Sequence, residues 1–337
     1  MNAGAGQKSK ILYLMKIFLE HTDEEHSVTM SDIIEIMREY GIDAERKSVY
    51  SDIEKLRVFG MDIIGEKCGR NYCYRLVSRQ FELAELKLLV DSVQAAKFIS
   101  EKKSNALIAK IEKTASRYEA GRLQRQVYVS DRTKSDNEQI LYNIDAIHDS
   151  ISKNKKITFR YFSWNEKKQR ELKNQGLPYE VSPLALIYSE DYYYLVAVEH
   201  KKNGIRYYRV DKMLSVVQSE EKREAIPKNF DIAKYSKKRF HMFDGEETDV
   251  QILAKNSYAN VIIDRFGKNV PMQKKDGAHF LTTVHVAESP QFYGWVMSMA
   301  EGMKIVGPPE VVKKVRETAA KLANQYLSEA ESSDSGV

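Results

Sequence analysis

Apolar positions recur at helical spacing through the first sixty residues. Ile11, Leu12, Leu14, Met15, Ile17, Phe18 and Leu19 predict a core helix over residues 8–20. Ile33, Ile34, Ile36 and Met37 predict a second helix, capped by Thr29 or Ser31 and ended by Gly41. A third helix is predicted over 44–59, after Asp43, with Val49, Ile53, Leu56 and Val58 inward. Its other side presents Arg46, Lys47, Ser48, Tyr50 and Ser51 close to its N-terminus, where a recognition helix reaches base edges and phosphates. Two short strands, 63–64 and 72–76, are joined through Lys67, Gly69, Arg70 and Asn71 and read as a wing.

Helical spacing continues from 81 to 120 in two helices, the second carrying Leu107, Ile108, Ile111 and Tyr118. A polar coil over 127–136 and a helix over 137–152 follow. These helices are read as a linker or a dimerisation arm, or as elements that pack only on their own domains. The period then changes to two. Ile157, Phe159 and Tyr161 alternate with Thr158, Arg160 and Phe162, a polar strand covers 167–173, and a longer one, 179–188, contains Pro183. Tyr192 to Val198 and Ile205 to Val210 are aromatic and β-branched, and flank an Asn-Gly turn signal. With 214–218 this makes about six strands, the pattern of a small barrel. A charged connection, 222–246, holds one short helix around 232–240. From about 248 to 327 the order is β-α-β-β-α-β, which is ferredoxin-like. Residues 328–337 are small and acidic and read as a disordered tail.

Charge sharpens the picture in one place. Residues 1–80 hold 12 Lys and Arg against 13 Asp and Glu, so the first module is near neutral, with its cations gathered on the third helix and wing. Residues 151–215 hold 13 against 7. A solvated surface explains that excess as readily as an anionic ligand does. Tyr161, Tyr194, Tyr208, Arg206 and Arg209, with Ser182 before Pro183, favour the ligand, since bases stack on aromatic rings and phosphates pair with arginine. In a flat strand Arg206 and Arg209 point to opposite faces. Either a bulge brings them together or only one of them binds, and Asp211 is placed to neutralise Arg209.

The two cysteines, Cys68 and Cys73, fit a reducing compartment. No apolar run of membrane-spanning length and no signal-peptide pattern is present, which suggests a cytoplasmic protein. Seven scattered histidines form no metal-ligand motif, and no nucleophile elbow, Walker loop or Rossmann fingerprint occurs. Neither a cofactor nor a metal is expected. Glu199 and Asp211 lie on opposite sides of a turn, where ion pairs with the arginines are a better reading than paired catalytic carboxylates.

Tyr193-Tyr194-Leu195 followed by Arg206-Tyr207-Tyr208-Arg209-Val210-Asp211 resembles the core of a WYL domain, with Tyr193 where tryptophan is usual. Tyr161 and Pro183 match further positions of that family. Lys47-Ser48-Val49-Tyr50-Ser51-Asp52-Ile53 resembles the signature of winged helices in DeoR-type and WYL regulators, with Ser51 in place of an arginine. Asp264 to Gly267 and Pro308-Pro309 resemble the C-terminal extension found after many WYL domains.

The resemblance implies an α+β multidomain chain. Residues 1–80 are a winged helix-turn-helix, 81–149 a helical linker, 150–222 an SH3- or Sm-like WYL barrel, 223–247 a connector and 248–328 the ferredoxin-like extension. It also implies a homodimeric transcriptional regulator that binds a double-stranded operator and senses an anionic effector, a nucleotide or single-stranded nucleic acid. A protein-interaction adaptor and, further off, an enzyme acting on nucleotides are the rival classes.

Overall fold

The computed structural model describes residues 3–123, 134–199, 204–224 and 245–333, without the side chains of 3–8 and 327–333. The chain divides into two compact units, Met1–Ile144 and Asp145–Val337, each taken by itself. The expected coil at 127–133 and short helix at 232–240 lie outside the described residues.

The first unit opens with α1 (Ala3–His21), α2 (Met30–Glu39) and α3 (Arg46–Phe59). Thr29 forms a capping box with Asp32 at the start of α2, and Gly41, at φ 73°, takes the left-handed turn after its end. Leu14, Ile17, Phe18, Ile33, Met37 and Val49 are fully buried between the three helices. The wing is a three-stranded sheet rather than a hairpin. β1 (Val28–Thr29), β2 (Ile63–Cys68) and β3 (Asn71–Leu76) pair in the order β1-β3-β2. β1 is too short for any period to reveal. Val58, expected inward, is 89% exposed. Five residues beyond Ile53, it lies about 140° around the helix from the buried stripe.

Three further helices follow: α4 (Leu83–Ala95), α5 (Glu101–Glu112) and α6 (Arg117–Leu123). Leu86, Val90, Ile108, Ala115 and Leu123 form their core. The helix expected to run through Tyr118 breaks at Ser116. There the Ser116 hydroxyl accepts from Glu119 N (3.1 Å) and the Glu119 carboxylate accepts from Ser116 N (3.1 Å), which starts α6 afresh. Ser116 also donates to the buried Asp23. Arg79 donates to Leu19 O (2.8 Å), and the His26 ring stacks on Tyr118 at 3.8 Å. The Ser116–Asp23 and His26–Tyr118 contacts, with Arg79 Nε 3.7 Å from the Glu119 carboxylate, hold α6 against the elements before it.

α7 (Ile140–Ser152) runs across the division. The second unit continues with β4 (Lys155–Trp164), β5 (Arg170–Leu172), β6 (Tyr179–Ser189), β7 (Tyr192–Glu199), β8 (Gly204–Arg209) and β9 (Met213–Lys222). They form one antiparallel sheet in the order β5-β4-β6-β7-β8, with β9 also paired to β4. β4 therefore serves both sides, and the sheet curls into a half-barrel around Ile157, Phe159, Leu195, Val196, Ala197, Val210 and Met213. The polar strand expected over 167–173 shrinks to three exposed residues.

The last module runs β10 (Glu247–Lys255), α8 (Ala259–Phe266), β11 (Met272–Lys274), β12 (His279–Ala287), α9 (Pro290–Met297), β13 (Met303–Gly307) and α10 (Pro309–Ser333). The sheet order β11-β12-β10-β13 is the order that β-α-β-β-α-β connectivity predicts for a ferredoxin-like sheet. α10 continues to Ser333, well into the stretch read as tail, and residues 334–337 lie outside the described residues.

Candidate nucleic-acid interface and effector site

On α3 the inward stripe is Val49, Asp52, Ile53 and Leu56. Asp52 is the anomaly, a buried carboxylate held by Lys10 (2.7 Å) and Lys55 (2.9 Å). Burial opposes its ionisation, but hydrogen bonds from the two lysines outweigh it and hold the carboxyl below the usual aspartate range. This clamp fixes α3 against α1. Ser48, placed in the reading set from sequence, turns toward the clamp: it is half-buried and hydrogen-bonded to the Lys10 ammonium. It is therefore a positioning contact between helices rather than a group presented to a duplex.

Arg46, Lys47, Tyr50 and Ser51 remain exposed on the first turns of α3. The Arg46 guanidinium reaches Ser31 at 3.5 Å, beside the α2 cap. The Tyr50 ring lies 6.4 Å from Tyr74 on β3, and Tyr74 lies 5.3 Å from Tyr72. Burial, reinforced by Tyr50, pushes the Tyr74 hydroxyl up to about 12. Tyr72 donates to Gly65 O (2.8 Å) across the wing, and a Cβ at Gly65 would stand 2.6 Å from the Tyr72 ring. Three tyrosines thus join α3 to the β2–β3 hairpin. Arg70 and Asn71 are exposed at the wing tip, with Lys67 beside them. The cysteines at this tip are joined, Cys68 to Cys73, as a disulfide with Cα atoms 5.9 Å apart. By sequence the two cysteines only fit a reducing compartment; the register sets Cys68 opposite Asn71 and Cys73 opposite Glu66, so the disulfide joins them on a diagonal.

In the half-barrel, β7 and β8 pair without a register shift from Tyr194↔Arg209 to Glu199↔Gly204. The bulge needed to unite Arg206 and Arg209 is not there, so the two arginines occupy opposite faces. On the face of Arg206, Tyr208 is buried and donates to the buried Glu199 carboxylate (2.9 Å). Its ring centres a cluster with Phe159 (5.0 Å), Tyr161 (5.5 Å) and Tyr179 (5.6 Å). Burial first, then the neighbouring Glu199, holds the Tyr208 hydroxyl far above its usual pKa. Arg206 itself is exposed.

On the other face Arg209 is held bidentately by Asp211, Nε to Oδ1 3.1 Å and Nη2 to Oδ2 2.8 Å. Its guanidinium sits 3.5 Å from the centre of the Tyr192 ring. Burial works against its charge, and Asp211 more than restores it. The Tyr161 hydroxyl accepts from Arg209 N (3.2 Å) and is pushed up to about 12, chiefly by burial. Tyr194, opposite Arg209, is buried and likewise raised by burial. Lys212 completes the group. Burial first, then the charge of Arg209 and, more weakly, that of Lys173 lower its pKa against the opposing pull of Asp211. Lys173 and Tyr192 escaped the sequence reading, because the first comes from the β5 side of the sheet and the second opens a strand.

Ser182 departs from its expected role. It is fully buried and its hydroxyl accepts from Glu224 N (3.1 Å), so it anchors the segment that follows β9. Arg223 continues that anchor onto Pro183 O (3.0 Å) and Asn154 (2.8 Å). Among the described residues no group of three or more His, Cys, Asp or Glu is placed to hold a metal, and no helix is long and apolar enough to cross a membrane.

A half-barrel carrying Tyr and Arg on β7 and β8, followed by a β-α-β-β-α-β module, defines the class of the second unit. Residues 142–218 match the WYL domain and residues 246–323 match the WCX domain. The chain is also similar to a solved structure, proteasome accessory factor B/C (PafBC) of Arthrobacter aurescens, at 16% identity and a TM-score of 0.27. That likeness covers 92% of this chain and 47% of the other, so the chain spans about half the length of the structure it matches. Comparison with curated proteins gives no match.

Proposed function

We propose that the chain is a ligand-responsive, DNA-binding transcriptional regulator. In this reading the first turns of α3 enter the major groove. Arg46, Lys47, Tyr50 and Ser51 read or position there, and Arg70 and Asn71 of the wing touch the backbone or minor groove. The half-barrel senses an anionic effector, a nucleotide or single-stranded nucleic acid, at Arg209, Lys212 and Lys173. Two copies act together in the cytoplasm, since paired readers match a palindromic operator. The protein catalyses no reaction and transmits effector binding by shifting populations between two dimer geometries. The WYL and WCX matches support this class.

The observation that carries it is on α3. Val49, Ile53 and Leu56 are sealed inward while Arg46, Lys47, Tyr50 and Ser51 are exposed on the N-terminal turns. The test is selection of bound fragments from a random duplex library, followed by titration of the recovered sequence. Arg46→Ala with Lys47→Ala should abolish operator binding at physiological salt with an unchanged melting temperature. Undiminished operator affinity in that variant would refute the assignment, and recovery of no duplex by the wild type would favour the adaptor reading.

A further inference from the structure

Both cysteines of the chain lie in one six-residue stretch of the wing. Cys68 ends β2 and is half-buried, whereas Cys73 on β3 is buried. Cys68 lies opposite Asn71 and Cys73 opposite Glu66, so the disulfide runs diagonally across the hairpin. It closes the tip that carries Gly69, Arg70 and Asn71, with Gly69 at φ 63°. A second pair of contacts holds the same strands together without sulfur: Arg75 with Glu66, and Tyr72 with Gly65 O.

We propose that Cys68 and Cys73 form a reversible redox modification site, in which a peroxide-class oxidant cross-links the wing tip and reduction releases it. The duplex-binding consequence rests on the proposed reading of α3 and the wing as a DNA reader. Cys68 is the attacking sulfur. It is partly open to solvent, whereas Cys73 is buried, so an oxidant reaches Cys68 first. Its thiolate attacks one peroxide oxygen, the O–O bond breaks, and sulfenic acid forms as hydroxide leaves and is protonated to water. The Cys73 thiol then attacks the sulfenic sulfur, the S–S bond forms, and a second water leaves. Two thiols lose two electrons and the peroxide gains them. Thiol–disulfide exchange with an external dithiol reverses the step.

The cross-link restricts the tip before it meets a duplex, so less ordering remains to be done on binding. The Arg75–Glu66 and Tyr72–Gly65 contacts keep β2 and β3 paired in the reduced form. The effect is accordingly a tuning of several-fold rather than a loss of the wing.

The experiment uses the full chain, reduced with dithiothreitol or oxidised with hydrogen peroxide and then freed of reagent. Three quantities are read: maleimide adducts by mass, hydrogen exchange over residues 63–76, and affinity for a random-sequence DNA duplex at low salt. The reduced form should take two maleimides and the oxidised form none. Oxidation should slow exchange at the tip and tighten duplex binding by roughly three- to tenfold. Dithiothreitol should reverse both, and Cys68→Ser with Cys73→Ser should respond to neither reagent. An unchanged maleimide count overturns the proposal, as does conversion with no change in tip exchange, or a serine variant that responds like wild type. Conversion and slower exchange with no duplex bound in either state keeps the redox site and overturns the DNA-reader assignment instead.

Discussion

Arg209 and Asp211, two residues apart, are joined by two hydrogen bonds of 3.1 and 2.8 Å at the turn out of β8. The cation that the sequence pattern offered on that face is thus met by a carboxylate from the next turn. A bidentate pair of this kind is strong and geometrically fixed. What keeps the neighbourhood cationic is Lys212 with Lys173.

The first prediction follows from that balance. Asp211→Asn removes the negative charge while keeping the side-chain shape. Affinity for a short single-stranded oligonucleotide should rise, because three cations then face it uncompensated. Stability should fall by about 1–3 kcal/mol, since Arg209 is left half-buried with a poorer partner. Calorimetric titration and denaturant unfolding read the two effects, and a loss of oligonucleotide affinity would count against the cluster as an anion site.

Lys212 supplies a second, independent signature. Burial and its cationic neighbours lower its pKa in the free protein. A bound anion favours the charged form and raises that pKa again. Binding should therefore take up protons at alkaline pH, between the free and bound values, and take up almost none near neutrality. Titrations stepped from pH 7 up toward the ordinary lysine pKa of about 10.4, in buffers of different ionisation enthalpy, locate and measure the uptake. Lys212→Met should abolish it.

The Asp52 clamp makes the winged module acid-sensitive. The folded-state pKa of Asp52 lies below its ordinary value, so ionisation favours the fold. That contribution is complete above the unfolded-state pKa, about 4, and is lost as pH falls through the folded-state value. Asp52→Asn should cost about 3 kcal/mol at pH 7, because Lys10 is left without its buried partner. The difference from wild type should shrink as pH drops below about 4. Urea unfolding followed at both pH values checks the sign, and a gap that widens on acidification would exclude the clamp.

How far these features could be read beforehand depended on whether neighbours in space were neighbours in sequence. The three helices and the β2–β3 hairpin of the first module, and the β-α-β-β-α-β order, follow from local periodicity and were legible, whereas β1 was not. So was the conflict between Arg206 and Arg209, because a two-residue period forbids a shared face and the register obeys it. The roles of Ser48, Ser182 and Val58 were not. Ser48 depends on Lys10, which is 38 residues away, and Ser182 on Glu224, which is 42 away. Val58 fell to helix geometry, because the fourth inward position of α3 is taken by Asp52 and Val58 lies far around the helix from that stripe. The acidic member of the inward stripe, Asp52, was the visible sign of a buried ion pair, because an aspartate among Val49, Ile53 and Leu56 needs a partner.

The opposed faces of β8 make the two arginines separable by mutation. Arg206 is exposed beside the Tyr208 cluster, while Arg209 is packed on Tyr192 and tied to Asp211. Arg206→Ala should change stability by no more than about 0.5 kcal/mol, as exposed substitutions usually do. Arg209→Ala should cost more, about 1–3 kcal/mol, through the lost bidentate pair with Asp211 and the lost ring contact. Only Arg209→Ala should weaken oligonucleotide binding if the anion sits with Lys212 and Lys173. A ligand held instead on the Tyr208 face would reverse that order, with Arg206→Ala the damaging change and Arg209→Ala nearly silent in binding. Equal losses from both would mean that the strand bends on binding so that one ligand spans its two faces, a change that hydrogen exchange across β8 would detect.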